Sequence, residues 1–257
     1  MSGVVEHFDL TGKKAAVVAA DAPGGAAVAR AFAEAGAELA LIIAHHSDVT
    51  EALRADLESQ GIRVHIVLAD LADPGGVREA VCAGAEQLGR LDILAGCSDL
   101  FFAKPLASTS DLETTRVMAA NFGAQFAALK AAAEAMEAAG GGKVLLLTHV
   151  LGERGVANTA AYAASQAATQ SLVRSLSREL GAKNITINAI SLGWMDWMDE
   201  RLATGSGSGA SPIGFSLLKR AGTADDLGPL AVWLTASGSD FVTGQIFRLD
   251  GGLAQHR

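Results

Sequence analysis

The sequence predicts a doubly wound α/β domain with a mostly parallel sheet of seven strands, residues 1–257 forming a single unit. Three observations predict it. Short, wholly apolar segments alternate with longer helical ones from one end of the chain to the other. Strands that are apolar at every position are buried on both faces, as in parallel sheets covered by helices. Half of the 257 residues are apolar, enough to fill a large core.

The elements follow in order. Residues 14–20 (KAAVVAA) read as a strand, and 25–35 as a helix closed by Gly36. Residues 39–44 (LALIIA) form the second strand, and 49–60 a helix stopped by Gly61. The third and fourth strands are 64–68 and 91–95, with a helix starting near Pro74 between them. A long alanine-rich helix is expected over 119–139, before the breaker Gly140-Gly141-Gly142. A fifth strand at 143–148, a helix at 160–180 and a sixth strand at 185–190 come next. A helix near 225–235 and a last strand at 245–249 close the chain. The Gly/Ser-rich run GSGSGAS (205–211) reads as part of a flexible loop or lid at about 195–220.

Composition excludes several classes. No apolar run approaches the ~18 residues that span a bilayer, and the N-terminus lacks a secretory signal. The two cysteines, Cys82 and Cys97, form no CxxC or His/Cys cluster, so neither a metal site nor a disulfide framework is expected, and a cytoplasmic protein is. A formal charge of −8 with no basic tract argues against a nucleic-acid partner. In an open α/β sheet, ligands bind beyond the carboxyl ends of the strands at the switch point.

Eight segments, in order and at matching spacing, resemble the short-chain dehydrogenase/reductase family across nearly the whole chain. They are ARAFAEAGA (29–37), ADLAD (69–73), LDIL (91–94), the Asn121 segment, GKVLLLT (142–148), AYAASQAA (161–168), SRELGAKNITINAIS and VTGQIFRLDGG (242–252). The resemblance implies a Rossmann-like domain that binds a nicotinamide dinucleotide at a TGxxxGxG loop. Here that pattern falls on residues 18–25 and keeps only its third glycine, Gly25; Ala19 and Pro23 replace the first two, and Asp21 adds a negative charge. Pro23 lacks an N–H donor, and Asp21 is expected either to repel phosphates or to cap the helix.

Other family positions also differ. The end of the second strand, Ile43-Ala44, lacks the acid that holds a ribose hydroxyl, although Asp70 matches an adenine-side acid. Residues 96–99, Gly-Cys-Ser-Asp, stand where the family has Asn-Asn-Ala-Gly. Of the catalytic Asn, Ser, Tyr and Lys implied by the resemblance, Asn121 and Tyr162 are present, while His149 and Gln166 replace the serine and the lysine. Positions i and i+4 share a helix face, where a lysine cation lowers a phenol's pKa. Gln166 carries no charge, so Tyr162 is expected to stay a protonated phenol. Asn121, His149, Tyr162 and Gln166 are therefore read as vestigial, and Ala19, Asp21, Pro23 and Gly25 as a degenerate loop. Trp194 and Trp197 are expected to fill the space of a nicotinamide ring, or to face outward as interface anchors.

These departures lead to three expectations. The first is a non-catalytic, pseudoenzyme subunit of a heteromeric dehydrogenase such as a heterotetramer, for example one acting on a hydroxyacyl thioester, with no cofactor of its own. It associates with a related chain, or with itself, through the helices at 119–139 and 160–180. The second is a cofactor-independent lyase, dehalogenase or isomerase in which His149 and Tyr162 form an acid–base pair. The third is a divergent NAD(P)-dependent oxidoreductase.

Overall fold

A computed structural model describes residues 3–198 and 216–255. Seven strands form one sheet in the order β3-β2-β1-β4-β5-β6-β7, and every neighbouring pair is parallel. The strands are β1 (Lys14–Val18), β2 (Glu38–Ile43), β3 (Val64–Leu68), β4 (Ile93–Gly96), β5 (Gly142–His149), β6 (Ile185–Leu192) and β7 (Ile246–Leu249). The strand order reverses at β1, where the chain winds outward to β3 on one side and resumes at β4 on the other.

The strands are mostly apolar because the sheet serves two cores. Ala15 and Val17 of β1 pack on one face of the sheet, Ala16 and Val18 on the other. The first face is covered by α1 (Pro23–Glu34), α2 (Asp48–Ser59) and α7 (Ala224–Thr235), which contribute Val28, Phe32, Leu53, Leu57 and Leu227. The second is covered by α3 (Pro74–Leu88), α5 (Ala124–Ala138) and α6 (Ala160–Gly181), which contribute Val77, Val81, Leu129, Met136 and Val173.

The alanine-rich helix differs from the expectation over 119–139. A helix α4 (Asp111–Met118) begins earlier, at a capping box in which Ser110 and Glu113 exchange hydrogen bonds. It runs into a π-helical turn at Ala119–Gly123, and α5 follows. One residue beyond the α-helical count re-aims the side chains of that turn, a device common at functional sites. Among the described residues no helix is long and apolar enough to cross a membrane. Of the expected lid, residues 199–215 lie outside the described residues.

Candidate active site

The carboxyl ends of β1, β4, β5 and β6 converge where the strand order reverses, and α1 begins above them. Helix α1 starts with Pro23 at its first position, where a missing N–H costs nothing because that donor has no intrahelical partner. Its N-cap, Ala22, makes no side-chain cap. The first-turn amides of Gly24 and Gly25 therefore face the crevice end of the sheet without an intrahelical acceptor. Before them Ala19 takes φ +59°, the left-handed conformation that a glycine adopts at no cost and a residue with a Cβ adopts at about 1–2 kcal/mol. The tight turn of the family loop is thus present although its glycine is absent. Gly25 is irreplaceable for a different reason: a Cβ there stands 2.1 Å from the Ala19 carbonyl oxygen.

Asp21 does not cap α1, contrary to one reading of the sequence. Its Oδ2 accepts the Ala44 N–H at 2.9 Å, beyond the end of β2, and lies 3.8 Å from His45 Nδ1. The carboxylate missing from the β2 end is therefore supplied by the β1–α1 loop. Asp70, at the end of β3, turns back to accept the Ala72 N–H.

Tyr162 is fully buried on the first turn of α6. Its phenol donates to Asp99 Oδ1 at 2.6 Å, and Phe101 packs edge-on against its ring at 5.0 Å. Asn121, placed by the π-helical turn, accepts the Leu100 N–H at 2.6 Å and donates to the Leu100 carbonyl and to Ser165 Oγ. It thereby grips the residue next to Asp99 and ties it to α6, where Ser165 donates to the Tyr162 carbonyl. His149, at the end of β5, stands edge-on to Tyr162 with ring centres 5.9 Å apart. Its Nδ1 accepts the Leu151 N–H, so the neutral ring carries its proton on Nε2. The structure thus brings Asn121, His149 and Tyr162 together, and places Gln166 one turn along α6 from the tyrosine. Gln166 is 1% exposed, and its side-chain oxygen has no hydrogen-bond partner.

Three residues that sequence reasoning left aside complete the site. Asp99 is one, appearing in the sequence only as a departure from the family's glycine. Gln125 donates to the carbonyls of Ser98 and Leu147, bridging the ends of β4 and β5. Gln170 donates to Thr148 Oγ1 and to the His149 carbonyl, fixing the end of β5 from α6. A signal for Gln166 and Gln170 is present in the sequence: they follow Tyr162 at four-residue steps on one helix face.

Between α1 and the strand ends lies a crevice of about 20 Å³, lined by Gly24, Cys97, Asp99, His149, Trp197 and Met198 among others. That is room for roughly one water. Trp197 lines this crevice, whereas Trp194 is buried against the α1–α7 core and lines no part of it. Burial pushes the Cys97 thiol far above its ordinary pKa, so it presents no thiolate to the crevice.

The chain matches the enoyl-(acyl carrier protein) reductase family over residues 19–254. It belongs to the short-chain dehydrogenase/reductase family. Among curated members of this family, gluconate 5-dehydrogenase of Gluconobacter oxydans is 27% identical, covering 96% of each chain. The subunit BbsC of (2S)-[(R)-hydroxy(phenyl)methyl]succinyl-CoA dehydrogenase from Thauera aromatica is 30% identical, covering 94% of each. Of solved structures, a blue fluorescent protein from a metagenomic library, in complex with NADPH, is 34% identical with a TM-score of 0.88, covering 96% of this chain and 99% of that one.

Family members named as dehydrogenases and solved with a nicotinamide dinucleotide overturn two expectations, that of a non-catalytic subunit and that of no cofactor. The physical reason lies in the loop. The sequence letters of the dinucleotide turn are lost, but its backbone conformation is kept at Ala19 and its close approach at Gly25. The residues present fit the diphosphate and the adenosine ribose: two first-turn amides of α1, a left-handed turn, and an acid at the end of β2.

Proposed function

We propose that this chain is a nicotinamide-dependent oxidoreductase that interconverts a secondary alcohol and a carbonyl compound. The observation that carries the reading is the buried phenol of Tyr162, held against Asp99 and beside His149, two residues that line the crevice under the N-terminus of α1. The names of the relatives, which act on hydroxyl groups of a sugar acid and of an acyl thioester, support the same reaction class.

When bound, the nicotinamide supplies or takes up a hydride at the substrate carbon. The chain's own residues do the rest. The amides of Gly24 and Gly25 and the turn at Ala19 bind the diphosphate. Asp21 accepts hydrogen bonds from the adenosine ribose hydroxyls, and its charge opposes a 2′-phosphate, so NAD(H) is preferred to NADP(H). His149 donates from Nε2 to the reacting oxygen and orients it. Tyr162 holds the proton exchanged with that oxygen. His149 and Gln166 thus replace the family's serine and lysine with groups that hydrogen-bond but carry no fixed charge.

Residues 1–257 are read as one domain whose segment at about 195–220 covers the substrate. Self-association through the helices at 119–139 and 160–180, and a cytoplasmic location, complete the reading.

Titration with NADH and with NADPH, followed by tryptophan fluorescence, tests the proposal. Saturable quenching that is lost in Trp197→Phe is expected, as is a fall of roughly 10²-fold or more in turnover for Tyr162→Phe at little-changed NADH affinity. Failure of both dinucleotides to bind at millimolar concentration overturns the reading.

A further inference from the structure

We propose that Asp99 is the proton partner of Tyr162, taking the tyrosine's proton when an alcohol is oxidised and returning it when a carbonyl is reduced. The inference rests on the oxidoreductase reading and assigns the residue through which its proton leaves the site. It stands on four observations.

The Tyr162 phenol and Asp99 Oδ1 are 2.6 Å apart, within the range of a charge-assisted O–H···O bond. A carboxylate only accepts, so the hydrogen lies on the phenol, and the phenol oxygen can accept a further hydrogen bond from a substrate hydroxyl. Tyr162 has no exposed surface, whereas Asp99 is partly exposed. A proton on the phenol has no direct way to water, and the carboxylate gives it one.

The position of Asp99 is built. Asn121 holds both backbone groups of Leu100, and Ser165 holds Asn121 to α6 one turn from Tyr162. The chain closes on itself from Tyr162 through Asp99, Leu100, Asn121 and Ser165 back to the Tyr162 carbonyl. Finally, the helix position four residues after the tyrosine holds the neutral Gln166. Among the described residues, the titratable groups facing Asp99 include Tyr162 from α6 and His149 from β5. Lys104, a cation of the following loop, is engaged by Glu113 of α4.

The step balances as follows. The substrate O–H bond breaks and its proton binds Tyr162 Oη, while the Tyr162 O–H bond breaks and that proton binds Asp99 Oδ1. A bound oxidised nicotinamide would take up the electron pair of the breaking C–H bond as hydride, leaving the C–O bond a carbonyl. Asp99 then gives its proton to water. Reduction runs the same transfers backwards.

Tyr162 is the only tyrosine of the chain, so its ionisation can be followed by phenolate absorbance in the full-length protein without cofactor or substrate. In Asp99→Asn the phenolate is expected to appear at lower pH than in the parent chain, because a neighbouring negative charge opposes a second one. The second readout is the pH profile of cyclohexanol oxidation with NAD⁺. The parent rate is expected to fall as acid protonates the carboxylate. Asp99→Asn should be slower by roughly 10²-fold and lack that acid limb, with NADH affinity unchanged, and Asp99→Glu should restore the limb.

Parent-like phenolate titration together with a parent-like pH profile in Asp99→Asn overturns the role of Asp99 and leaves the oxidoreductase reading standing. Failure of the parent chain to bind NADH overturns that reading, and this inference with it.

Discussion

Replacing Gly25 with alanine tests whether the close approach of α1 to β1 holds the upper half of the site. The added Cβ meets the Ala19 carbonyl oxygen at 2.1 Å, the Ala19 carbonyl carbon at 2.8 Å and Ala20 Cα at 3.0 Å. All three are backbone atoms, so no side chain can swing aside, and α1 must move outward by about 1 Å to restore contact distances. That movement loosens Val28 and Phe32, both fully buried between α1 and the sheet. Their burial is worth roughly 1.5–3 kcal/mol each, and a gap of 0.5–1 Å forfeits about a quarter to a half of the contact energy. A loss of about 1–3 kcal/mol follows, equivalent to a fall of roughly 2–12 °C in melting temperature for a domain of this size.

Thermal unfolding followed by circular dichroism measures the fall, with Gly24→Ala as the control. At Gly24 the Cβ meets the tip of the Leu147 side chain at 3.2 Å, which can turn away, and Trp197 Cζ2 at an ordinary contact distance of 4.0 Å, so the expected change is under about 1 kcal/mol. Equal melting temperatures for Gly25→Ala and Gly24→Ala would refute the reasoning. Because the first-turn amides of α1 move with the helix, Gly25→Ala should also weaken NADH binding more than Gly24→Ala.

Two further outcomes are expected. Asp21→Ala removes the acid at the end of β2 and should weaken NADH binding by roughly 10-fold or more while narrowing the preference over NADPH. Calorimetry with both dinucleotides decides it, and an unchanged ratio removes Asp21 from the site. Lys104, then Ser110, hold the Glu113 carboxyl at about 2 against an ordinary 4.5. Because the folded-state value is lowered, its contribution to the N-terminus of α4 is complete above the ordinary value and lost as the pH falls through about 2. Carboxyl NMR of Glu113 should show that low midpoint, accompanied by fraying of the first turn of α4. Titration of Glu113 at the ordinary value contradicts the assignment.

The layers of the fold were legible because the physics behind them is periodic. A strand such as Lys14–Val18 feeds two cores, and so carries an apolar residue at every position after Lys14. The start of the Asn121 helix was misplaced because the eye follows alanines. The capping box at Ser110 and Glu113 is the true signal, and the π-helical turn that follows it has no propensity signature of its own.

At the site, residue types were legible and directions were not. Asp21 looked like a charge beside the phosphates because its nearest sequence neighbours open α1. Its side chain is instead claimed by an amide 23 residues away, at Ala44. Asp99 looked like a lost glycine, and only the fold brings it to Tyr162 across 63 residues. The reasoning from missing glycines failed at Ala19 because a turn is a set of dihedral angles, which a residue other than glycine can adopt at a modest energetic cost.

The convergence of β1, β4, β5 and β6 at one end of the sheet also governs how the chain acquires its site. β1 pairs in register with β4 across nearly 80 residues, Ala15 opposite Ile93, and all the strand pairs are parallel. Loops of some 40 to 80 residues must close before the four strand ends meet, and long-range parallel pairing is slow for this entropic reason. Helices α5 and α6 can form early from local contacts, but the Asp99–Tyr162 contact and the Trp197 crevice cannot exist until the middle of the sheet is assembled. During refolding, far-ultraviolet ellipticity should therefore recover ahead of dinucleotide binding. A chain emerging from the ribosome would carry its tyrosine some time before it had anywhere to send the proton.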